Sequence, residues 1–446
     1  MKKANKILLG SLIIGLAGGI TACGPTTQEI NDPYVLPDLY NMELGAARLQ
    51  VGTNVLFDVV EVPTSEVIED RVLGYGDDYE VGDTIQKGTR IKLEVGVRPE
   101  DAKNYDNEVV KYSSYIEKTT GPESVNADIL KAAGQSGTDL GIPFELPDGR
   151  VMLLYGDTFS APNMGGMWWS NFMAITSDKD LTDGLNFDSV VTNDIGALQP
   201  FAQGAHQNGS VENIGTEVTK IPTGGISIGN DVYIFYMSIR YWGVAGSWLV
   251  TYNQCLKATD STYTEWVDVP SLRWKEEEFY YGGQIFPYED PKDENHIYFI
   301  SIPGGRNSGA VMFRVTKENF ENRDEYEYLV AEDTWVKGDE GMSQLNEDPY
   351  FIVDPSCSEP SLMYSEYLDK YMVCTAKGSG ISILLADEIT GPYDDLYTVI
   401  GGSDYPGMYG GFATHLFQDS DGQRIYLQLS QWTPIYNTSL IEVVFQ

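Results

Sequence analysis

Cysteine is scarce: four in 446 residues, at Cys23, Cys255, Cys357 and Cys374. Histidine is scarcer, with only His206, His296 and His415, and no Cys-x-x-Cys or His-Glu-x-x-His occurs. That leaves too few nitrogen and sulfur ligands for a zinc or haem site, so no metal and no cofactor are expected. Beyond Cys23 the three cysteines allow at most one pair. Cys357 and Cys374 flank a hairpin pattern and could pair, while the preferred reading makes all three small buried apolar residues. Positive charge is also in short supply: 29 Lys and Arg stand against 66 Asp and Glu, a net charge of −37. Such a chain repels nucleic acid and anionic membrane faces, which removes both from the expected partners. Long apolar runs are missing too. The most apolar stretch, residues 7–19, is too short to span a bilayer.

What that stretch does is set by its flanks. Lys2, Lys3 and Lys6 precede it and Ile20-Thr21-Ala22-Cys23 follows, the order of an export signal. The Ile-Thr-Ala-Cys ending resembles the lipobox of bacterial lipoproteins. The resemblance implies a leader over residues 1–22, lipidation of Cys23, a tether over 23–33 and a mature protein held outside the cytoplasm by its lipid alone. Loss of the three leader lysines would take the net charge from −37 to −40.

Residues 34–98 read as a small α+β domain. A Leu36-Pro37-Asp38-Leu39 opening is followed by a short helical piece near Ala46 and by the alternating strand GTRIKLEVGV at 88–97. This order resembles a PASTA domain, which implies a wall-binding or spacer module. Residues 99–135 are polar and irregular and read as a linker, set at 99–121, plus an entry strand.

From residue 122 to 446 the chain is all-β and repeats itself. Five times a polar or Gly-containing head (GTDLGIPFEL, IPTGGISIG, YYGGQIFPYE, CSEPSLMYSE, YGGFATHLFQ) leads into an apolar strand, a turn and two further strands. Units of three or four strands that cannot bury both faces alone solve the problem by packing around an axis. A five-bladed β-propeller is therefore expected, preceded by the PASTA-like domain.

In a propeller the heads meet at one mouth. Asp139 opens the first strand and Asp157, in Gly156-Asp157-Thr158, closes its hairpin partner. A turn near Asp148 places the two side by side. Adjacent carboxylates repel, which separates their pKa values as glycoside hydrolysis requires. An Asx-turn at Asp157 and a strand cap at Asp139 would account for the same residues without chemistry. Glu217 and Glu359 are supporting carboxylates, and Trp169, Asn171, Arg240, Trp242, Arg306, Tyr409 and His415 are candidate sugar contacts, since aromatic faces beside carboxylates and arginines suit a sugar cleft.

GTDLGIPFELPDGRVMLLYGDTF, the IPTGG…YMSIRYWG block, SEPSLMYSEYLDKYMVC and YGGFATHLF resemble domain-of-unknown-function family 4185, associated with glycoside hydrolase family 183. The resemblance implies an exported propeller that cleaves α-D-arabinofuranosyl polymers, with Asp139 and Asp157 as its two aspartates. Which aspartate is the acid, and whether the reaction inverts or retains, stays open. A structural calcium ion, which arabinan-cleaving propellers can carry, has no supporting ligand spacing here. The competing readings are a glycan-binding lipoprotein without catalysis and a propeller used for protein contacts.

Overall fold

The computed structural model describes residues 32–446 except 77, 106 and 245. The expected leader, Cys23 and all but the last two residues of the tether lie outside the described residues.

Residues 33–97 form a small α+β unit. In Thr89–Val97, Ile91, Leu93 and Val95 point inward while Arg90 and Lys92 do not, the alternation of a one-faced strand. It pairs in parallel with Val55–Pro63 and antiparallel with Val72–Tyr75. Helix Leu44–Val51 buries Ala47 and Val51 in the same small core, with Leu36, Leu39 and Val72. Gly52 ends the helix at φ 56, where a side chain would be strained.

The rest is built from five larger antiparallel sheets and a two-stranded ribbon of Thr158–Ala161 with Gly165–Trp169. Sheet one contains Leu140–Glu145, Val151–Tyr155, Phe172–Thr176 and Ser189–Val190; sheet two Thr219–Ile228, Asp231–Tyr241, Leu249–Ala258 and Trp266–Lys275. Sheet three runs from Gln284–Glu289 through His296–Ile302, Val311–Thr316 and Glu327–Ala331 to Thr334–Lys337; sheet four has Ser361–Ser365, Lys370–Lys377, Gly380–Ala386 and Asp395–Gly401. Sheet five combines Met408–Phe412, Arg424–Gln431 and Asn437–Phe445 with Val110–Lys118. The first strand of sheet two touches those of sheets one and three. The first strand of three touches that of four, and the first strand of five packs on four and on one. The sheets therefore follow one another around an axis in a propeller-like fold, with one apolar core running through all five. A second, aromatic core around Phe235, Trp274, Phe299 and Phe313 fills the space between sheets two and three.

The linker expected over 99–121 is corrected in part. Val110–Lys118 is the outer strand of sheet five, paired with Asn437–Phe445. The small unit is not set apart either: Arg71 reaches Asp421 at 3.1 Å, and Arg424 donates to the Ser65 carbonyl at 2.9 Å. Cys255, Cys357 and Cys374 are buried free thiols. Among the described residues no helix is long and apolar enough to cross a membrane.

Candidate active site

All five first strands start at the same end, so their heads converge there. In sheet one Leu140 faces Tyr155, Glu145 faces Val151, and the Gly156 amide donates to the Asp139 carbonyl at 3.2 Å. Asp139 thus lies beside Gly156, with Asp157 next. Leu140 (φ 71) and Gly141 (φ 85) are both left-handed, and the register slips between Leu140 and Ile142. This bulge re-aims the end of the strand. A Cβ on Gly156 would stand 2.4 Å from Asp139 Oδ1, so the glycine of Gly-Asp-Thr is what lets the carboxyl fit.

Asp157 is buried and hydrogen-bonded on one oxygen only. Thr219 Oγ1 donates to its Oδ1 at 2.5 Å and Trp168 Nε1 donates to the same atom at 2.8 Å. Among the described residues Oδ2 has no hydrogen-bond partner. Burial, with the charge of Asp139 adding to it, pushes the Asp157 carboxyl up to about 8 against the two donors. Asp139 accepts from Tyr409 Oη at 2.7 Å on Oδ2, while its Oδ1 is buried without a partner. Burial raises it to about 6; the phenols of Tyr409 and Tyr436 oppose the rise, and Glu359 adds to it. Two neighbouring carboxyls are therefore held apart in proton affinity, the condition for one to donate and the other to accept.

Around the pair, Arg306 donates to Glu359 Oε1 at 2.8 Å and lies over the rings of Tyr409 (4.7 Å) and Trp248 (5.1 Å). Ser358 Oγ holds the other oxygen of Glu359 at 2.7 Å. His206 stacks on Trp168 at 3.8 Å with the rings 6° from parallel. Glu217 accepts from Ser238 (2.8 Å) and Tyr252 (3.2 Å), and Lys220 stands 3.7 Å away. Leu140, Glu359 (φ 45) and His206 (φ 50) all carry left-handed backbone without being glycine, a strain that recurs at functional sites.

Asp139, Asp157, Glu359, Arg306 and Tyr409 are thus brought together, with Glu217 one shell out beside His206. Other expected sugar contacts are corrected. Trp169 packs toward the core behind helix Ala127–Ala133, because neighbours on a strand face opposite ways, and Trp168 takes the place facing Asp157. Asn171 is fully buried and clamps the Ala202 and Lys220 carbonyls at 2.7 and 3.0 Å. Arg240 is engaged by Glu276 at 2.5 Å and the Val250 carbonyl. Trp242 is not displaced: it is exposed and meets Trp248, the ring beneath Arg306, edge-on at 5.8 Å. His415 lies past the far end of its inner strand, close to Glu145 and Glu289. Thr219, Tyr436, Trp248 and His206 are additions; only Thr219, two residues before the head of sheet two, carried a positional signal. Among the described residues no group of three or more His, Cys, Asp or Glu side chains is placed to hold a metal ion.

A family model described as a domain of unknown function, DUF4185, matches residues 124–442. Notoamide biosynthesis cluster protein J of Aspergillus sp. (strain MF297-2) is 26% identical over 324 residues, covering 69% of this chain and 82% of that protein. Among solved structures, a protein from Bacteroides ovatus ATCC 8483 whose name assigns it provisionally as a hydrolase superposes with a TM-score of 0.55 at 12% identity, covering 77% of this chain and 93% of that one. A family 117 glycoside hydrolase of Zobellia galactanivorans reaches a TM-score of 0.43 at 12% identity, over 76% and 92% of the two chains.

Proposed function

The chain belongs to the DUF4185 family, and from that premise we propose that it is a glycoside hydrolase built on a five-bladed propeller, with Asp157 as acid and Asp139 as its partner. The observation that carries this reading is the one-sided bonding of Asp157. Both donors occupy Oδ1, so the proton retained near neutral pH resides on Oδ2, the oxygen left to meet a ligand. Protonation of the glycosidic oxygen from Oδ2 releases the leaving sugar. Asp139, ionised, acts across the anomeric carbon in one of two ways: it draws a proton from the water whose hydroxyl adds to that carbon, and proton exchange with solvent resets both carboxyls, or it attacks directly and is displaced by a water that gives its hydroxyl to the sugar and its proton to Asp157. Arg306, fixed by Glu359 and by the faces of Tyr409 and Trp248, holds substrate hydroxyls.

The substrate class we assign is a furanosyl polymer of the D-arabinan type, which rests on the family resemblance of the sequence blocks above. The Ile-Thr-Ala-Cys ending supports a lipid anchor on Cys23 and a place outside the cytoplasm, with the PASTA-like unit as a spacer beside the enzyme. Incubation of the purified chain with arabinogalactan and lipoarabinomannan, beside L-arabinan, fructan and xylan, tests the activity. Oligosaccharides from a D-arabinan that vanish in Asp139→Asn and Asp157→Asn are expected. Cleavage of another glycan would move the substrate; retention of a glycan without cleavage would make this a binding protein.

A further inference from the structure

A cavity of about 740 Å³ lies away from the carboxylate mouth. It opens at the other end of the axis, where the five first strands finish. Glu145 lines it and Asp139 starts the same strand, six residues and about 20 Å away. Its wall is apolar, with Ile142, Phe144, Phe286 and Phe412 among the side chains. The volume is that of ordinary small-molecule sites, which combine apolar walls with a few placed polar groups. Here the charged ones are mainly acids. Glu145, Glu294 and Glu366 line the space without an ion-pair partner among the described residues, and the one lysine of the wall, Lys317, is held by Glu289. His415 lines the cavity as an exposed ring and stands close enough to Glu145 and Glu289 to feel both charges, with Lys179 opposing them.

We propose that this cavity is a second binding site, for a small organic cation with an apolar body and a protonated amine. The ring or chain fills the apolar wall and the ammonium lies at the acidic rim. A site of this sign rejects carboxylates and phosphates, its ligand is a different chemical class from the neutral arabinan assigned to the mouth, and it works independently of the aspartate pair.

With only three histidines in the chain, the His415 imidazole is a local reporter in NMR, assigned through His415→Asn. Titration with 4-phenylbutylammonium at neutral pH is expected to shift the His415 signal, leave that of His206 beside Asp157 unmoved, and saturate with a Kd of the order of 1 mM. The same titration on Asp157→Asn should be unchanged, which separates this site from the proposed catalysis. Glu145→Gln combined with Glu289→Gln, both on the exposed rim, should weaken binding at least about fivefold, or about 1 kcal/mol. Equal binding of 4-phenylbutanol or 4-phenylbutanoate, no loss in the double variant, a response at His206 instead of His415, or no saturable shift would each overturn the proposal.

Discussion

At the scale of the residue, the proton on Asp157 decides the behaviour. An enzyme that needs Asp139 ionised and Asp157 protonated should show a bell-shaped rate profile. Its acid limb falls near pH 6 and its alkaline limb near pH 8, as apparent values of the coupled pair. Asp157→Asn should lower the rate by about three orders of magnitude. Its effect on stability should have the opposite sign. The unfolded chain ionises Asp157 near its ordinary value while the fold retains the proton up to about 8, so native protein binds more protons in that interval and loses stability as pH rises through it. Thermal melts should therefore find Asp157→Asn more stable than the parent at pH 8, by about 1 kcal/mol or more, with the gap closing by pH 4. Trp168→Phe keeps a ring against His206 but removes a donor to the charged carboxylate, so the alkaline limb should move upward. Asp139 and Asp157 could be found from the sequence because hairpin symmetry is simple arithmetic. Trp168 and Trp169 could not be told apart that way, because the short strand Gly165–Trp169 is broken by a bulge between Gly165 and Trp168 that resets which face each side chain takes.

At the scale of the element, the heads and triplets of the five sheets were legible because their strands are apolar runs bounded by Gly, Asp and Asn turns. Val110–Lys118 was not legible. Two of its buried positions are Ser113 and Ser114, whose hydroxyls are satisfied by the Val399 carbonyl at 2.5 Å and by Glu442 at 2.6 Å, so polar side chains stand where an apolar signal was sought. A chain starting at residue 119 would leave the edge of Asn437–Phe445 unpaired from Ser439 to Phe445. It should be recovered as aggregate, whereas a chain starting at residue 99 should fold and keep a cooperative melt. Equal solubility of the two would show that this strand is dispensable.

At the scale of the whole molecule, the small unit and the propeller-like body meet over a buried ion pair. Arg424 and Glu442 stand 2.9 Å apart, 4% and 0% exposed, and Arg424 also binds the Ser65 carbonyl of the small unit. Removing one partner leaves the other charged in a dry site. Denaturant unfolding of Glu442→Ala should therefore show a loss of about 3–5 kcal/mol, and joint replacement of both residues by apolar side chains should recover most of it.

The pairing of Val110–Lys118 with Asn437–Phe445 also has a meaning in time. The two partners lie more than three hundred residues apart in the chain, so the loop they close is nearly the entire body, and contacts of such separation form late. During synthesis sheets one to four can gather in order. The fifth stays open until its third strand has emerged, and only then do the aspartates of sheet one gain Tyr409 and Tyr436 as neighbours. A nascent chain is accordingly a fold with an unfinished mouth, and the proposed activity would arrive in one step with the closing strand.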